Sequence, residues 1–384
     1  MRVLVLSHSA DLGGAEVALA EGVTGLARHG VDVHVGLPEP GPLAERLAAA
    51  ASVWVAAAPW PWWLAPDRLA PARRAWTSAE LLRRSRSAVG QIRERVRELR
   101  PDVILTNTST FPQGAVAARL ERVPHVWHVH EFGREDLGLQ NLFGNGFGFR
   151  LVGALSSRVA ACSQAVADRL TRYVTPAKVR VVYGAVDVVE PETAPPPDPP
   201  FRLLTLGRLH PAKGLEDAIR ATAGLSARGL DVELHVVGGG PRSPYRPALE
   251  QLASRSGAGD RIHFHLHTPT PAAELARSHV FLMTSRAEAF GRVTIEAMKA
   301  GRPVVAARSA GNLELVRDRW NGLLYQAGDA GDLAGQITRL YEDQALRSGI
   351  AGRGREWARE RFTLERYGGD LQRVLAEAVH SARG

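Results

Sequence analysis

Short apolar segments alternate along the chain with longer segments in which apolar residues recur every three or four positions. The first pattern is typical of buried β-strands and the second of amphipathic helices. Near the start, RVLVLS at 2–7 leads through two glycines to a helical pattern from Ala15 to Arg28. Gly30 ends that pattern before the next apolar segment, VDVHVGL. These segments predict a βαβ unit.

Further strand patterns repeat this alternation in both halves of the chain. In the first half they are DVILTN at 102–107, HVWHVH at 125–130 and RVAACS at 158–163. In the second half they are FRLLTLGRL at 201–209, VELHVVGGG at 232–240, RIHFHLH at 261–267, HVFLMTS at 279–285 and RPVVAA at 302–307. A helix is expected from about Gly214 to Arg228. The alternation predicts an α/β protein with two doubly wound, Rossmann-like domains.

A proline-rich segment, EPETAPPPDPP, separates the two series. Prolines neither donate to a strand ladder nor continue a helix, so the segment predicts a semi-rigid connector. The predicted organisation is a first domain at 1–188, a linker at 189–200 and a second domain at 201–365. A C-terminal helix is expected at 366–384, and it could pack back on the first domain.

Composition narrows the class of protein. A chain of 384 residues with 45% apolar and 23% charged residues has the balance of a globular protein, and its length favours two domains. Cys162 is the only cysteine, which excludes an intramolecular disulfide and suits a reducing cytoplasm. The apolar run at the N-terminus is too short for a signal peptide or a membrane span. A net charge of +8 implies an acidic partner: nucleic acid, anionic lipid or a phosphorylated substrate.

The motif EAFGRVTIE follows the strand pattern VFLMTS and opens a helix that Gly301 ends. Ligands of open α/β sheets bind at the carboxyl ends of the strands, where a helix N-terminus attracts anions. Gly291 removes a side chain where a phosphate would approach. Glu288 before the helix and Glu296 within it are placed to accept hydrogen bonds from sugar hydroxyls. The alternative, two solvated residues at a helix start, remains open.

The segment EAFGRVTIE, with AMKAGRPVVAARSAGNLELV and WNGLLY after it, resembles the retaining, two-Rossmann-domain (GT-B) glycosyltransferases of family 4. LGRLHPAKGLEDAIRA at 206–221 and VVGGGP at 236–241 resemble the same family. The first half adds GGAEVALAEGVTGLARHGVDVHV and HVHE. The resemblance implies a GT-B architecture with two domains facing a central cleft. It also implies transfer of a sugar from a UDP- or GDP-linked donor to a glycan, lipid-linked or small-molecule acceptor.

The resemblance also implies roles for individual residues. Arg208 and Lys213 would hold the donor diphosphate, a role that suits the forked guanidinium of arginine and the ammonium of lysine. Glu288 would bind hydroxyls of the donor sugar, Glu296 would bind the ribose, and His130 would meet the transferred sugar near the reacting carbon. The remaining implied donor-binding residues are Gly14, Gly239, Phe290, Gly291, Arg292 and Val293.

The implied reaction requires no cofactor and no metal. The family's mechanism is a front-face substitution in which the departing phosphate accepts the acceptor's proton and the anomeric configuration is retained. His128 and His130 share one face of a predicted strand and Glu131 follows them, which allows a metal hypothesis, but a third ligand at suitable spacing is missing. The chain also contains no Asp-x-Asp pair of the kind that holds a divalent ion on a nucleotide sugar. We therefore predict that cationic side chains replace the metal.

Two places depart from the family pattern. The chain has YGAVD at 183–187, before the linker, and HLHT at 265–268, where the family commonly has a glycine. The second departure changes the surroundings expected for the nucleotide base or the acceptor. A plain strand-to-helix turn explains the glycines at 238–240 as well as nucleotide binding does.

Acceptor recognition is expected in the first domain, which holds an unusual concentration of tryptophans. Five of the eight, Trp54, Trp60, Trp62, Trp63 and Trp76, precede an arginine-rich helical pattern. Such a segment, at 54–100, suits the surface of an anionic membrane. The alternative is a loop packed on its own core and followed by a solvated helix. Nucleic-acid binding ranks lower because no nucleic-acid module accompanies the charge.

Two other functional classes remain open. A sugar-nucleotide epimerase or a glycan phosphorylase would use the same fold and diphosphate site. A non-catalytic nucleotide-sugar-binding protein would keep the sheets without needing Arg208, Lys213, Glu288 and Glu296 together. The joint presence of these four residues favours an enzyme.

Overall fold

A computed structural model describes residues 1–57, 60–66, 71–187, 199–240, 243–268 and 270–382. The predicted linker at 189–200 lies outside these ranges except for its last two residues, and so do parts of the segment 54–100. The chain forms two compact units. The first comprises Met1–Asp187 with Phe362–Gly384, and the second lies within Val188–Arg361.

The described part of the first unit contains these strands: β1 (Arg2–Leu6), β2 (Asp32–Leu37), β3 (Ser52–Val55), β4 (Leu64–Pro66), β5 (Val103–Asn107), β6 (His125–Val129), β7 (Leu139–Asn141), β8 (Arg158–Ala161) and β9 (Val179–Val181). Seven form a sheet in the order β3-β2-β1-β5-β6-β8-β9, and every neighbouring pair is parallel. The strands β4 and β7 pair separately and antiparallel. Helices cover both faces of a parallel sheet, which explains why its central strands read as continuous apolar runs.

The helices of this unit that precede the linker are α1 (Gly14–Arg28), α2 (Pro42–Leu47), α3 (Pro71–Leu99), α4 (Gln113–Glu121), α5 (Arg134–Leu137), α6 (Asn145–Leu155) and α7 (Gln164–Leu170). The apolar face of α1, with Leu19, Val23 and Leu26, is buried in one cluster with Val3 and Val33 of the sheet. The predicted βαβ unit is therefore confirmed. No helix among the described residues combines the length and the apolar character needed to cross a membrane.

The second unit repeats the design with six parallel strands: β10 (Phe201–Leu206), β11 (Val232–Val237), β12 (Ile262–His265), β13 (Val280–Met283), β14 (Val304–Ala307) and β15 (Leu323–Tyr325). Their order is β12-β11-β10-β13-β14-β15. Its described helices are α8 (Leu215–Ala227), α9 (Arg246–Arg255), α10 (Pro271–Ala276), α11 (Arg292–Lys299), α12 (Asn312–Leu315), α13 (Ala330–Glu342) and α14 (Gln344–Arg361). The predicted class, two Rossmann-like α/β domains, is confirmed.

Strand ends differ from the sequence prediction. The patterns RIHFHLH and HVFLMTS extend two residues beyond the observed ends of β12 and β13, at His265 and Met283. These final residues leave the sheet and form the loops at its carboxyl edge. The pattern RPVVAA at 302–307 likewise begins two residues before β14, and Pro303 offers no N–H to the ladder.

The last helix, α15 (Leu364–His380), belongs to the first unit and packs on α1. The two helices touch through glycines. A Cβ on Gly368 would lie only 2.3 Å from the carbonyl carbon of Gly25, and a Cβ on Gly25 would lie 2.6 Å from the carbonyl oxygen of Leu364. Because backbone meets backbone here, neither helix can yield to a larger residue.

We expect Gly368→Ala to destabilise the first unit by about 1–3 kcal/mol, the usual cost of overpacking. Gly369→Ala is the matched control. Its Cβ would meet only the end of the His29 side chain at 3.4 Å, and alanine favours a helix over glycine by about 1 kcal/mol. Urea denaturation followed by tryptophan fluorescence measures both effects. Equal transition midpoints for the two variants would contradict the close helix contact.

Candidate active site

The loop after β10 positions Lys213. It ends in a short 3-10 turn, Pro211–Lys213, which is tied to the loop after β13. The Thr284 hydroxyl donates to the carbonyl of Lys213 at 2.7 Å, and the backbone N–H of Arg286 donates to the carbonyl of Ala212 at 2.9 Å. Gly214 has a φ of +59°, and a Cβ there would lie 2.3 Å from the Thr284 carbonyl oxygen. This contact requires glycine and brings the two loops together.

The two loops meet in an ion pair between Lys213 and Glu288. Lys213 Nζ donates to Glu288 Oε2 at 2.7 Å, and the Glu288 side chain is 14% exposed. Burial alone would raise the pKa of Glu288. The charge and hydrogen bond of Lys213, a hydrogen bond from Ser285 and the charge of Arg208 outweigh burial and hold that pKa below its usual value. Glu288 is therefore a carboxylate at neutral pH.

Positive charge accumulates on this side of the site. Burial, followed by the charges of Arg208 and Lys213, lowers the pKa of His210. A crevice at the carboxyl ends of β10, β11 and β13 is lined by Gly207, Arg208, Lys213 and other residues of these strands and loops. Such an edge is where ligands of open α/β sheets bind. Because one carboxylate faces two cations, the crevice can attract an anion.

The helix α11 begins beside Glu288 and presents its N-terminus. Gly291 is the residue before the helix, with a φ of +94° and no side-chain cap. The first N–H groups of a helix have no acceptor within it and carry partial positive charge. Phe290, which precedes Gly291, is buried. The N–H of Gly311 donates to the Glu288 carbonyl at 2.9 Å and fixes the loop.

Glu296 is the fifth residue of α11 and is half-buried. The structure therefore gives the two glutamates of EAFGRVTIE different surroundings. Glu288 lies in the loop against Lys213, and Glu296 lies one turn into the helix, beyond the Arg292 and Val293 positions. Two carboxylates in such different surroundings suit two different parts of one ligand.

The glycines after β11 have a packing role. A Cβ on Gly238 would lie 1.7 Å from the carbonyl oxygen of Gly207, so the loops after β10 and β11 meet backbone to backbone. Gly239 has a φ of +67° and packs on Leu209. Packing therefore requires glycine at these two positions, whether or not a nucleotide binds.

In the first unit, Gly14 is the first residue of α1, and no side chain caps that helix. Beside it, His8 Nε2 lies 3.0 Å from Glu16 Oε1. Burial lowers the pKa of His8 to about 4 and raises the pKa of Glu16. Sequence reasoning missed both residues. The sequence feature that could have indicated them is that one polar residue stands on each side of the two glycines of the first loop.

His130 follows β6 at its carboxyl end. Its Nε2 lies 2.8 Å from Oδ1 of Asn107, the last residue of the neighbouring strand β5. His128 is buried, and burial lowers its pKa to about 3, so its ring is neutral. The His128 ring centroid lies 4.0 Å from that of His130. His125 is likewise buried, and its Nε2 lies 2.8 Å from the Thr106 hydroxyl.

Glu131 fixes the loop that carries His130. Its Oε1 accepts from the Ser109 N–H at 2.5 Å and from the Ser109 hydroxyl at 2.6 Å, and its Oε2 accepts from the His130 N–H at 3.0 Å. Burial nevertheless raises the pKa of Glu131 to about 7. Both carboxylate oxygens are therefore engaged inside the protein.

This raised pKa predicts a pH-dependent stability. In the folded chain Glu131 binds its proton more tightly than in the unfolded chain, so its contribution is complete below pH 4.5 and is lost as the pH rises through about 7. We expect the wild type to lose up to about 3 kcal/mol of unfolding free energy between pH 4.5 and 8 from this group alone. Glu131→Gln should lack that component. Urea titrations of both proteins at several pH values measure it, and identical pH profiles would contradict the assignment.

The tryptophan cluster is only partly a surface feature. Trp60 stacks on Phe111, with centroids 5.5 Å apart, and Trp63 stacks on Trp127 at 6.0 Å. Both are buried, so the expectation that they lie at a membrane interface is wrong. The strand β4, which follows Trp63, pairs with β7, and the segment that carries Trp60 and Trp63 packs on the core. Trp62 and Trp76 remain exposed, at 41% and 69%.

Comparison with known families covers both units. The family model for glycosyl transferases group 1 matches residues 190–357, and that for glycosyltransferase family 4 matches residues 12–190. Together with the two parallel α/β units, these matches define a member of the glycosyltransferases of GT-B fold. The chain belongs to the group 1 glycosyltransferases of family 4.

Individual relatives agree with this family. The lipopolysaccharide core biosynthesis glycosyltransferase LpsE of Rhizobium meliloti is 34% identical over 47% of this chain and 50% of its own. A GDP-mannose-dependent alpha-(1-6)-phosphatidylinositol monomannoside mannosyltransferase of Mycolicibacterium smegmatis is 32% identical over 45% and 47%. The chain thus spans about half the length of these curated relatives. The crystal structure of Anabaena Alr3699/HepE with UDP-glucose covers 98% of this chain and 99% of HepE, with a TM-score of 0.76 and 25% identity.

Proposed function

We propose that the protein is a retaining glycosyltransferase that moves a sugar from a UDP- or GDP-linked donor to a hydroxyl of its acceptor without a metal ion. The observation that carries this proposal is the Lys213–Glu288 pair at the N-terminus of α11. HepE was crystallised with UDP-glucose, which supports UDP, whereas the mannosyltransferase relative is named for GDP-mannose.

The diphosphate would bind between the cations and the helix. Arg208 and Lys213 supply charge-assisted hydrogen bonds, and the N–H groups that follow Gly291 supply a helix N-terminus. Cleavage of the bond between sugar and phosphate builds negative charge on the leaving phosphate, which these groups stabilise. Fixed positive charge of this kind does the work of a divalent ion, so we propose that the reaction proceeds in a chelator.

Glu288 would accept hydrogen bonds from the donor sugar while it balances Lys213. Glu296 would accept hydrogen bonds from the ribose, and His130 would contact the transferred sugar. The carboxylate that follows His130 along the chain, Glu131, has both oxygens engaged by Ser109 and the His130 N–H, which removes it as a nucleophile. Front-face substitution, in which the leaving phosphate accepts the acceptor's proton, is therefore the mechanism we propose.

A nucleotide panel tests the donor assignment. UDP, GDP, ADP and the corresponding sugar nucleotides are added in EDTA, and thermal unfolding is followed. A ligand at about 100 times its Kd adds roughly 2.7 kcal/mol to the free energy of unfolding. We expect UDP or GDP, with its sugar nucleotide, to raise the melting temperature. No shift with any nucleoside diphosphate would contradict the proposal.

The acceptor side, we propose, faces an anionic membrane. The pairing of β4 with β7 brings the Trp62 segment to the segment after β7, where Phe143 and Phe147 are exposed and pack together with centroids 5.9 Å apart. On α3, Trp76 is exposed and is followed by exposed arginines, Arg83 and Arg84 among them. Exposed aromatics beside arginines suit lipid head groups. The lipopolysaccharide and phosphatidylinositol named for the relatives carry lipids.

Co-sedimentation with anionic vesicles tests this surface. Each basic residue contributes about 1 kcal/mol near an anionic bilayer, so we expect changing Trp62, Trp76, Arg83 and Arg84 to serine to reduce salt-sensitive binding by at least tenfold. The matched control changes an exposed tryptophan and two exposed arginines of the second unit, Trp320, Arg319 and Arg308, to serine. Negligible binding of the wild type would leave a soluble acceptor as the better hypothesis.

A further inference from the structure

Polar side chains share one face of the two strands at the edge of the second sheet. Glu233 and His235 lie two residues apart on β11, and His263 and His265 lie two residues apart on β12. The parallel register pairs His235 with His263 and Val237 with His265. Because side chains alternate across a strand, these four point to the same face. One member of this group, His265, lies in HLHT, the departure from the family pattern at 265–268.

The ligand atoms of three of these residues converge. His235 Nε2 lies 3.6 Å from Glu233 Oε2, and His263 Nε2 lies 4.0 Å from the same oxygen. One ligand atom from each residue fits within a span of 4.8 Å. Tetrahedral zinc, with bonds of about 2.0–2.1 Å, holds its ligand atoms about 3.3 Å apart. Small side-chain rotations would bring the three atoms to that separation.

The ring of His235 is held by a neighbour. Its Nδ1 lies 3.0 Å from His265 Nε2, and the two rings are stacked 7° from parallel. In contrast, its Nε2 is buried and has no hydrogen-bond partner. A hydrogen bond at one ring nitrogen that leaves the other directed at a carboxylate and a second imidazole is the usual arrangement of a metal-binding histidine.

We propose that Glu233, His235 and His263 bind a divalent transition metal, with zinc as the best match, and that His265 orients His235. Two imidazoles and a carboxylate are ligands that zinc accepts, and water would complete four-coordination. His263 is 38% exposed, which gives the ion a path from solvent.

This site would have a role apart from the transfer reaction. The strand β12 lies at the edge of its sheet and pairs only with β11. A metal shared by the two strands would fasten that edge. It would also hold the start of the glycine loop, because the N–H of Gly238 donates to the His265 carbonyl and the N–H of His267 donates to the Gly239 carbonyl. Metal binding would then stabilise the loop without contacting the diphosphate.

The test is isothermal titration of zinc chloride into the untagged, EDTA-treated and desalted full chain. The wild type is expected to bind one zinc ion, and His235→Gln together with His263→Gln should weaken binding at least tenfold. His265→Gln should weaken it about tenfold, the usual cost of losing a residue that orients a ligand. His380→Gln is the control, because His380 is an exposed histidine on α15 of the other unit.

The partly exposed His263 also allows a single variant, His263→Gln, in case the double variant folds poorly. Zinc should raise the melting temperature of the wild type and of His380→Gln, but not that of His263→Gln. UDP or GDP binding should persist in EDTA, so failure of this proposal is separable from failure of the donor assignment. The proposal would be overturned if the wild type did not bind one zinc ion per chain. It would also be overturned if His263→Gln bound zinc as tightly as the wild type does.

Discussion

A Glu288→Gln variant is expected to retain nucleoside diphosphate binding while its turnover falls by about 100-fold to 1,000-fold. The substitution keeps the size of a side chain that we propose binds the donor sugar, and it removes the negative charge beside the reacting centre. Loss of one preorganised electrostatic contact commonly costs this much in rate. Because Lys213 would no longer be neutralised by a carboxylate 2.7 Å away, diphosphate affinity should stay equal or increase.

Glu296→Ala is the comparison for that variant. It should weaken binding of the free nucleotide, because a contact to the ribose is lost. At saturating donor it should lower turnover less than Glu288→Gln does. Calorimetry with the nucleoside diphosphate and steady-state kinetics with the donor separate the two patterns. If both variants lose nucleotide affinity equally, the assignment of the two glutamates to different parts of the donor is wrong.

Lys213→Ala should produce the opposite pattern to Glu288→Gln. Removal of the ammonium takes away a charged hydrogen bond to the diphosphate, which costs about 1.5–3 kcal/mol, or roughly 10-fold to 150-fold in affinity. It also leaves Glu288 buried without its counter-charge, so the pKa of Glu288 should rise. Calorimetry with UDP or GDP measures the loss.

The chain offers a matched control for this substitution. Lys178 ends a second Pro-Ala-Lys turn, in the first unit, where its Nζ donates to the carbonyls of Gly153 and Ser156 at 2.8 and 2.9 Å. Lys178→Ala should lower stability and leave nucleoside diphosphate affinity unchanged. Unchanged affinity in Lys213→Ala as well would remove Lys213 from the diphosphate site.

The fold was accessible from sequence because parallel strands buried on both faces give continuous apolar runs, as in RVLVL and VFLM. The sequence pattern also placed Glu288 of the proposed donor site after a strand end, whereas Arg208 was implied only by the resemblance to the family. The pairing of Lys213 with Glu288, 75 residues apart, was not accessible. It depends on β10 and β13 being neighbours, which a strand pattern does not specify.

Two other features depended on contacts distant in sequence. Trp60 and Trp63 have the same local pattern as the exposed Trp62, and only stacking on Phe111 and Trp127 separates them. The histidines of β11 and β12 have no special spacing relative to each other along the chain. The parallel register alone brings His235 beside His263.

The most direct test of the central claim measures the reaction itself. Sugar nucleotides are incubated with the wild type and with Glu288→Gln in EDTA, together with candidate acceptors, and nucleoside diphosphate release and the first-formed glycoside are followed by NMR. We predict diphosphate release coupled to a new glycoside of unchanged anomeric configuration, much faster with the wild type. Isomerisation of the donor without transfer, inversion of the anomeric centre, or equal rates for the two proteins would contradict the account.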